Sequence, residues 1–438
     1  MTHFLRTTCL FLLLLPFIPA CQTPAIGEDA LAFDTSTVDS FDAGTLNEAG
    51  SSVDGYAADS CEPPAPVSNL SRYQTLLDDL AVLTLPEQRQ ARATDFIDEL
   101  KASGDYPLRD ANKALVFWQG NNAPFVAGTF NGWQVDQDKV EPIMDTNLHV
   151  FEVAMGEGAE QYKFASEGIW TTDLLNPHLV WDGIPREGLG EFNSVLPAWK
   201  QSASKGRLER LSVFSSELGN TRDVYVYLPP SYDADSCRRY PVLVVNDGNE
   251  SICRSHFDSV ADQVFSTGQA ESAILLFVAL AHQNNRMDEY SCEESSQGRN
   301  YSDFLCDTLL PHIDTKYRSR TDANSRGIIG ASLGGLISYA AAFWRNDCFK
   351  RVGAQSGSFW FADSLMISRV SESEKLEFER LYLDNGTDNR DSTIEMRDAL
   401  KAKGFDVEHW ENLEQAHTWN AWQDRFDEAL KALLPLPQ

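Results

Sequence analysis

Three side chains whose types together perform acyl transfer occur in order along the second half of the chain: Ser332, then Asp388, then His417. A serine hydroxyl is a poor nucleophile until a base takes its proton. The base works best when a carboxylate fixes its tautomer and stabilises its protonated form. Ser332 lies in Gly330-Ala331-Ser332-Leu333-Gly334, a G-x-S-x-G pentapeptide. Alone it is weak evidence, because glycine and serine are common enough for a chance match in about one chain of this length in ten.

The flanks strengthen it. Ser325 to Gly330 is a short apolar strand, and Leu333 to Trp344 reads as a buried helix. A tight turn between strand and helix holds a serine hydroxyl above the sheet, and small neighbours avoid a clash there. Asp388 ends the turn Asp384-Asn-Gly-Thr-Asp388 after the apolar run Leu381–Leu383. A strand's carboxyl end is where such sheets place functional loops. Asp384 and Asp391 compete with it for the acid's role. His417 follows the strand-like Val407–Trp410 and precedes the last helical stretch, whereas His409, inside the apolar run, reads as packed. Charge developing on an attacked carbonyl oxygen needs hydrogen-bond donors. The backbone of Leu333 and that of Gly248 or Asn249, after Pro241–Val245, are expected to supply them.

These residues need a scaffold, and the pattern predicts one. From Arg207 onward apolar strands alternate with helical stretches, which implies a mainly parallel sheet covered by helices. The serine, acid, histidine order is that of α/β-hydrolases, so residues 205–438 are expected to form an α/β-hydrolase domain. Residues 111–198 hold short β-type runs broken by Gly, Asn and Pro and predict a β-sandwich. Residues 67–110 show helical periodicity, with Pro86 between two helices. Residues 21–66, rich in Asp, Ser and Gly, read as a disordered linker.

The first 20 residues pair Arg6 with the apolar run Cys9–Ile18, the pattern of an export signal. Ile18-Pro19-Ala20-Cys21 resembles a bacterial lipobox, which implies lipidation of Cys21 and membrane attachment. Setting aside Cys9 and Cys21 leaves Cys61, Cys237, Cys253, Cys292, Cys306 and Cys348, an even number that suits disulfides in an oxidising compartment without fixing their pairing. Some of the six can equally be buried thiols. No C-x-x-C or H-E-x-x-H is present, so no metal or other cofactor is expected. The formal net charge of −29 argues against a nucleic-acid partner and otherwise favours solubility.

The segment Arg207 to Pro435 resembles the enterochelin-esterase-like branch of the esterase D-type serine esterase family. The resemblance rests on Tyr240-Pro-Val-Leu-Val-Val-Asn-Asp-Gly248, Arg286-Met-Asp-Glu-Tyr290, Leu309-Leu-Pro-His312, Gly330–Gly335, Gln355-Ser-Gly-Ser-Phe-Trp360, Gly386-Thr-Asp388 and Ala416-His-Thr-Trp419. It implies a triad of Ser332, Asp388 and His417, and substrate contacts from Arg286, Glu289 and Trp360. One departure stands out: the family's Gly-Gly-His-Asp is here Gln415-Ala416-His417-Thr418. Residues 111–198 resemble early-set, immunoglobulin-like glycogen-binding modules through Gly128-Thr-Phe-Asn-Gly-Trp133, Tyr162-Lys-Phe164, Gly168-Ile-Trp170, Asp173-Leu-Leu-Asn-Pro177 and Asn193-Ser-Val195. In sugar-binding members the places of Trp133, Lys163, Trp170 and Asn193 contact the ligand. In many esterases the same module shapes the active-site mouth instead.

The expectation is therefore an envelope-anchored serine hydrolase of a small or carbohydrate-linked ester: siderophore-type, feruloyl or acetyl. Two alternatives remain, a non-catalytic glycan-binding surface lipoprotein and an acyltransferase using the same triad.

Overall fold

The computed structural model describes residues 65–437, apart from 185–190, 200–204, 282–284 and 375. The signal, Cys21, Cys61 and almost all of the linker lie outside the described residues. Two helices, Ser71–Val82 and Pro86–Ser103, lead in. Leu76, Leu80, Phe96, Ile97 and Leu100 pack with Leu115, Phe117 and Leu148 of the strands that follow. Those strands alternate their side chains, so the opposite faces of the same strands bear Ala114 and Val116, which join Val126, Tyr162, Phe164 and Leu196 of a second sheet in one core.

The second half is built on eight strands, numbered here in chain order: β1 Arg207–Ser215, β2 Asn220–Leu228, β3 Val242–Val245, β4 Ile274–Val278, β5 Arg326–Ala331, β6 Arg351–Gln355, β7 Arg380–Asn385 and β8 Glu408–Glu411. Their spatial order is 8-7-6-5-3-4-2-1. β3 to β8 run parallel, and β2 is antiparallel to both β1 and β4. β3 shows why helices must cover both faces: Val242 and Val244 enter one core, and Leu243 and Val245 the other. The helix Leu333–Trp344 packs on one side and the last helix, Trp419–Leu433, on the other.

The sheet does not stop at β1. Leu208 and Glu209 pair antiparallel with Leu179 and His178, so strands of the amino-terminal half extend the same hydrogen-bonded sheet. Cys306 is bridged to Cys348, and Cys237 is disulfide-bonded as well. Cys292 is a buried thiol. No helix among the described residues is long and apolar enough to cross a membrane.

Candidate active site

β5 ends at Ala331 and the helix begins at Leu333, which leaves Ser332 alone on the turn at φ 59° and ψ −121°. A non-glycine residue holds such a backbone only when its surroundings dictate it. Here Ser332 N–H donates to the Gln355 carbonyl at 2.9 Å, and the Ser332 carbonyl accepts from Ser358 N–H at 3.0 Å. The turn is tight enough that a Cβ on Gly330 would lie 2.6 Å from the Gly334 carbonyl carbon, so no larger residue fits.

The Ser332 hydroxyl donates to Nε2 of His417 at 3.0 Å. Nδ1 of His417 donates to Asp388 Oδ2. Burial pushes the Asp388 carboxyl up, but the His417 hydrogen bond and charge outweigh it and hold the group below the usual carboxylate range. The structure thus brings Ser332, His417 and Asp388 into one hydrogen-bonded chain. Trp422 packs edge-on against the imidazole, with ring centroids 4.8 Å apart. Ser358 Oγ is 3.2 Å from Ser332 Oγ, a second polar contact at that oxygen.

The competing residues lie elsewhere. Asp384 is fully buried, with its carboxylate on Arg425 at 3.1 Å; burial pushes it up to about 6 despite that cation. Asp391 projects into solvent at 95% side-chain exposure. His409 Nε2 donates to Asn385 Oδ1 at 2.8 Å, and its Nδ1 faces Arg397 at 3.3 Å, the arrangement of a packed strand residue.

Gly248 and Asn249 open a short helix, Gly248–Cys253, as Leu333 opens its own. Backbone N–H groups in a helix's first turn have no carbonyl one turn back, so they are available to a ligand oxygen. Asn246 pins this loop to the helix after Ser332, donating to the Gly334 carbonyl at 3.0 Å and to Ser338 Oγ at 2.9 Å.

Arg286 and Glu289, expected at the substrate, do not pair with each other. Glu289 is 1% exposed and takes two hydrogen bonds, at 2.9 and 3.2 Å, from the equally buried Arg222 of β2. Two charges removed from water are held by pairing with each other. Arg286 pairs instead with Asp247, through Nε at 2.7 Å and Nη2 at 2.8 Å. Trp360 is 55% exposed, and its indole N–H donates to Asn389 Oδ1 at 2.8 Å, beside Asp388.

In the amino-terminal half, Trp133, Lys163, Trp170 and Asn193 line one cavity of about 730 Å³. The two indoles lie 6.1 Å apart between centroids. Lys163 is nearly buried and already bonds Asp182 and Glu191 at 3.1 and 3.0 Å, while the Asn193 amide donates to Gln161 at 3.0 Å.

Sequence reasoning missed Arg425, Arg222 and Ser356. Arg425 and Arg222 occupy positions in apolar stripes, three residues from Trp422 on the last helix and two from Val224 on β2, a usable signal for a buried cation. Ser356, whose hydroxyl accepts from Arg425 at 3.0 Å, carried none.

A helix-covered, mainly parallel sheet with a serine on a strand-to-helix turn, met by loops that carry an aspartate and a histidine, has the form of an α/β-hydrolase. Residues 215–433, half of the chain, match the family model described as "Putative esterase", and the chain belongs to that family; it is a carboxylic ester hydrolase. The uncharacterized protein YbbA of Bacillus subtilis is 28% identical over 215 residues, covering 44% of this chain and 83% of that protein. The endo-1,4-beta-xylanase/feruloyl esterase of Xylanibacter ruminicola is 22% identical over 312 residues, covering 64% of this chain and 42% of that protein. Among solved structures, the enterobactin esterase from Shigella flexneri in the presence of enterobactin is similar at a TM-score of 0.47 and 17% identity, covering 73% of this chain and 92% of that one.

Proposed function

We propose that this esterase works by nucleophilic catalysis at Ser332. The observation that carries the reading is the Ser332–His417–Asp388 hydrogen-bonded chain. Ser332 Oγ attacks the ester carbonyl carbon while His417 Nε2 takes the hydroxyl proton. The carbonyl oxygen becomes an oxyanion facing the N–H of Leu333 and that of Gly248 or Asn249. The C–O bond to the alcohol breaks, His417 returns the proton to the leaving oxygen, and an acyl-Ser332 ester remains. Water, deprotonated by His417, then releases the acid. Asp388 stays ionised throughout and stabilises the imidazolium.

The substrate is a small or carbohydrate-linked ester, of siderophore, feruloyl or acetyl type. Trp360 offers an exposed indole face on the loop that carries Ser358, and its N–H is already occupied, so it suits an aromatic group. The Xylanibacter ruminicola relative is named as a feruloyl esterase, which points the same way. The lipobox-like Cys21 would tether the enzyme to the bacterial envelope. Residues 111–198 are read as an early-set, immunoglobulin-like module. The paired indoles of Trp133 and Trp170 favour a second role for it, stacking on a sugar face. Acyl transfer to an alcohol would use the same acyl-enzyme with a different acceptor.

The test is hydrolysis of p-nitrophenyl acetate and of methyl ferulate by the protein and by Ser332→Ala. A serine enzyme loses at least about 10⁴-fold in kcat. Equal rates from both folded proteins would remove the serine mechanism. Wild-type turnover of the acetate alone would remove the aromatic preference.

A further inference from the structure

Gln415, two residues before His417, is tied on both sides. Its Oε1 accepts from Nη1 of Arg425 at 2.8 Å, and its Nε2 donates to Asp424 at 3.2 Å. Its backbone carbonyl accepts from the N–H of Thr387 at 2.8 Å and from the Thr387 hydroxyl at 3.2 Å. Thr387 immediately precedes Asp388. The acid turn and the base loop are therefore bolted together through one residue, and the carbonyl comes so close to Gly386 that a Cβ there would overlap it.

The other end of the bolt is rigid. Arg425 is fully buried, and its remaining donors reach Asp384 at 3.1 Å and Ser356 Oγ at 3.0 Å. Asp384 also accepts from the Ser356 N–H at 3.2 Å and the Tyr382 hydroxyl at 3.1 Å. A planar guanidinium with its donors committed in three directions has a single orientation. Ser356 leads to Ser358, which touches Ser332, so the loops carrying all three reacting side chains converge on this cation. His417 itself is 36% exposed, in a loop whose neighbours Ala416 and Thr418 are also exposed. Burial alone does not hold it.

We propose that Gln415, oriented by Arg425, is a positioning residue that sets the register of His417 against Asp388 and Ser332. The proposal rests on the triad reading above. Gln415 stands where the resembling family carries glycine; a glycine would keep the backbone contact to Thr387 but not the side-chain contact to Arg425.

The test uses the full protein with Gln415→Met, which keeps bulk and removes the acceptor, and Gln415→Glu made together with Asp424→Asn, which restores an acceptor for Arg425 while giving the second carboxylate oxygen an amide donor in place of the Asp424 carboxylate. Two readouts are taken: steady-state kinetics on p-nitrophenyl butyrate, and the downfield proton NMR signal of His417 Nδ1–H, assigned with His417→Ala. Misplacing a base by a fraction of an ångström costs on the order of 10- to 100-fold. The methionine variant should lose that factor in kcat with KM within about twofold, and its Nδ1–H signal should shift or broaden. The glutamate variant should recover most of the loss. A folded methionine variant with wild-type kcat and an unchanged Nδ1–H signal overturns the proposal, as does a glutamate variant no better than methionine. Should the wild type hydrolyse no ester and Ser332 take no fluorophosphonate label, the triad reading fails. The proton signal still judges the positioning: unchanged in Gln415→Met, it overturns the proposal.

Discussion

Arg286 grips Asp247 through hydrogen bonds of 2.7 and 2.8 Å, and Asp247 stands at φ 56° immediately before Gly248. The pair braces the loop expected to bind the oxyanion. Arg286→Ala should lower kcat by about 10²-fold, the scale of a displaced oxyanion donor, and leave KM nearly unchanged. Arg286→Lys should recover little, because an ammonium cannot form the two-pronged contact. A rise in KM with kcat intact would place Arg286 at the substrate instead.

Asp388 and Asp384 lie four residues apart and should fail differently. Asp388→Asn should retain the fold and lose about 10⁴-fold in kcat, since the imidazole then prefers the wrong tautomer. Asp384→Asn leaves Arg425 buried without its anion, a change worth about 3–5 kcal/mol of stability. Thermal unfolding beside kinetics separates the two.

Glu289 offers a stability control. Glu289→Ala should cost about 3–5 kcal/mol by stranding Arg222, with kcat of the remaining folded protein near that of the wild type. Urea unfolding with parallel activity measurements checks both halves. A large kcat loss without destabilisation would return Glu289 to the substrate.

Glu250 should make stability depend on pH. Burial, and then the charge of Asp247, push its carboxyl up to about 7 from 4.5. The folded protein therefore binds more protons than the unfolded chain between those values, and this group's contribution to stability falls as pH rises through that window. Glu250→Gln removes the fall. The variant should gain melting temperature relative to the wild type at pH 8 more than at pH 4.5, and equal differences at both would contradict the assignment.

Much of the site could be read from residue order. Gly330 and Gly334 marked the turn, the apolar runs before Asp388 and His417 marked strand ends, and those positions meet in space. The alternating strands after Arg207 likewise gave the sheet, since burial on both faces leaves near-continuous apolar runs. Partner choice among charged residues was not legible. Arg286 and Glu289 are spaced like neighbours on one helical turn, yet each bonds a residue distant in sequence, Asp247 and Arg222. Such pairings depend on which strands lie side by side, which periodicity does not encode.

The pairing of Leu208 and Glu209 with Leu179 and His178 has a practical consequence for anyone dissecting the enzyme. Cutting the chain between the two halves would bare the Leu208–Glu209 end of the outer edge of β1, leaving its N–H and C=O groups ready to recruit another molecule's strand. The catalytic half taken alone is thus a candidate for self-association, and its apparent activity would then vary with concentration.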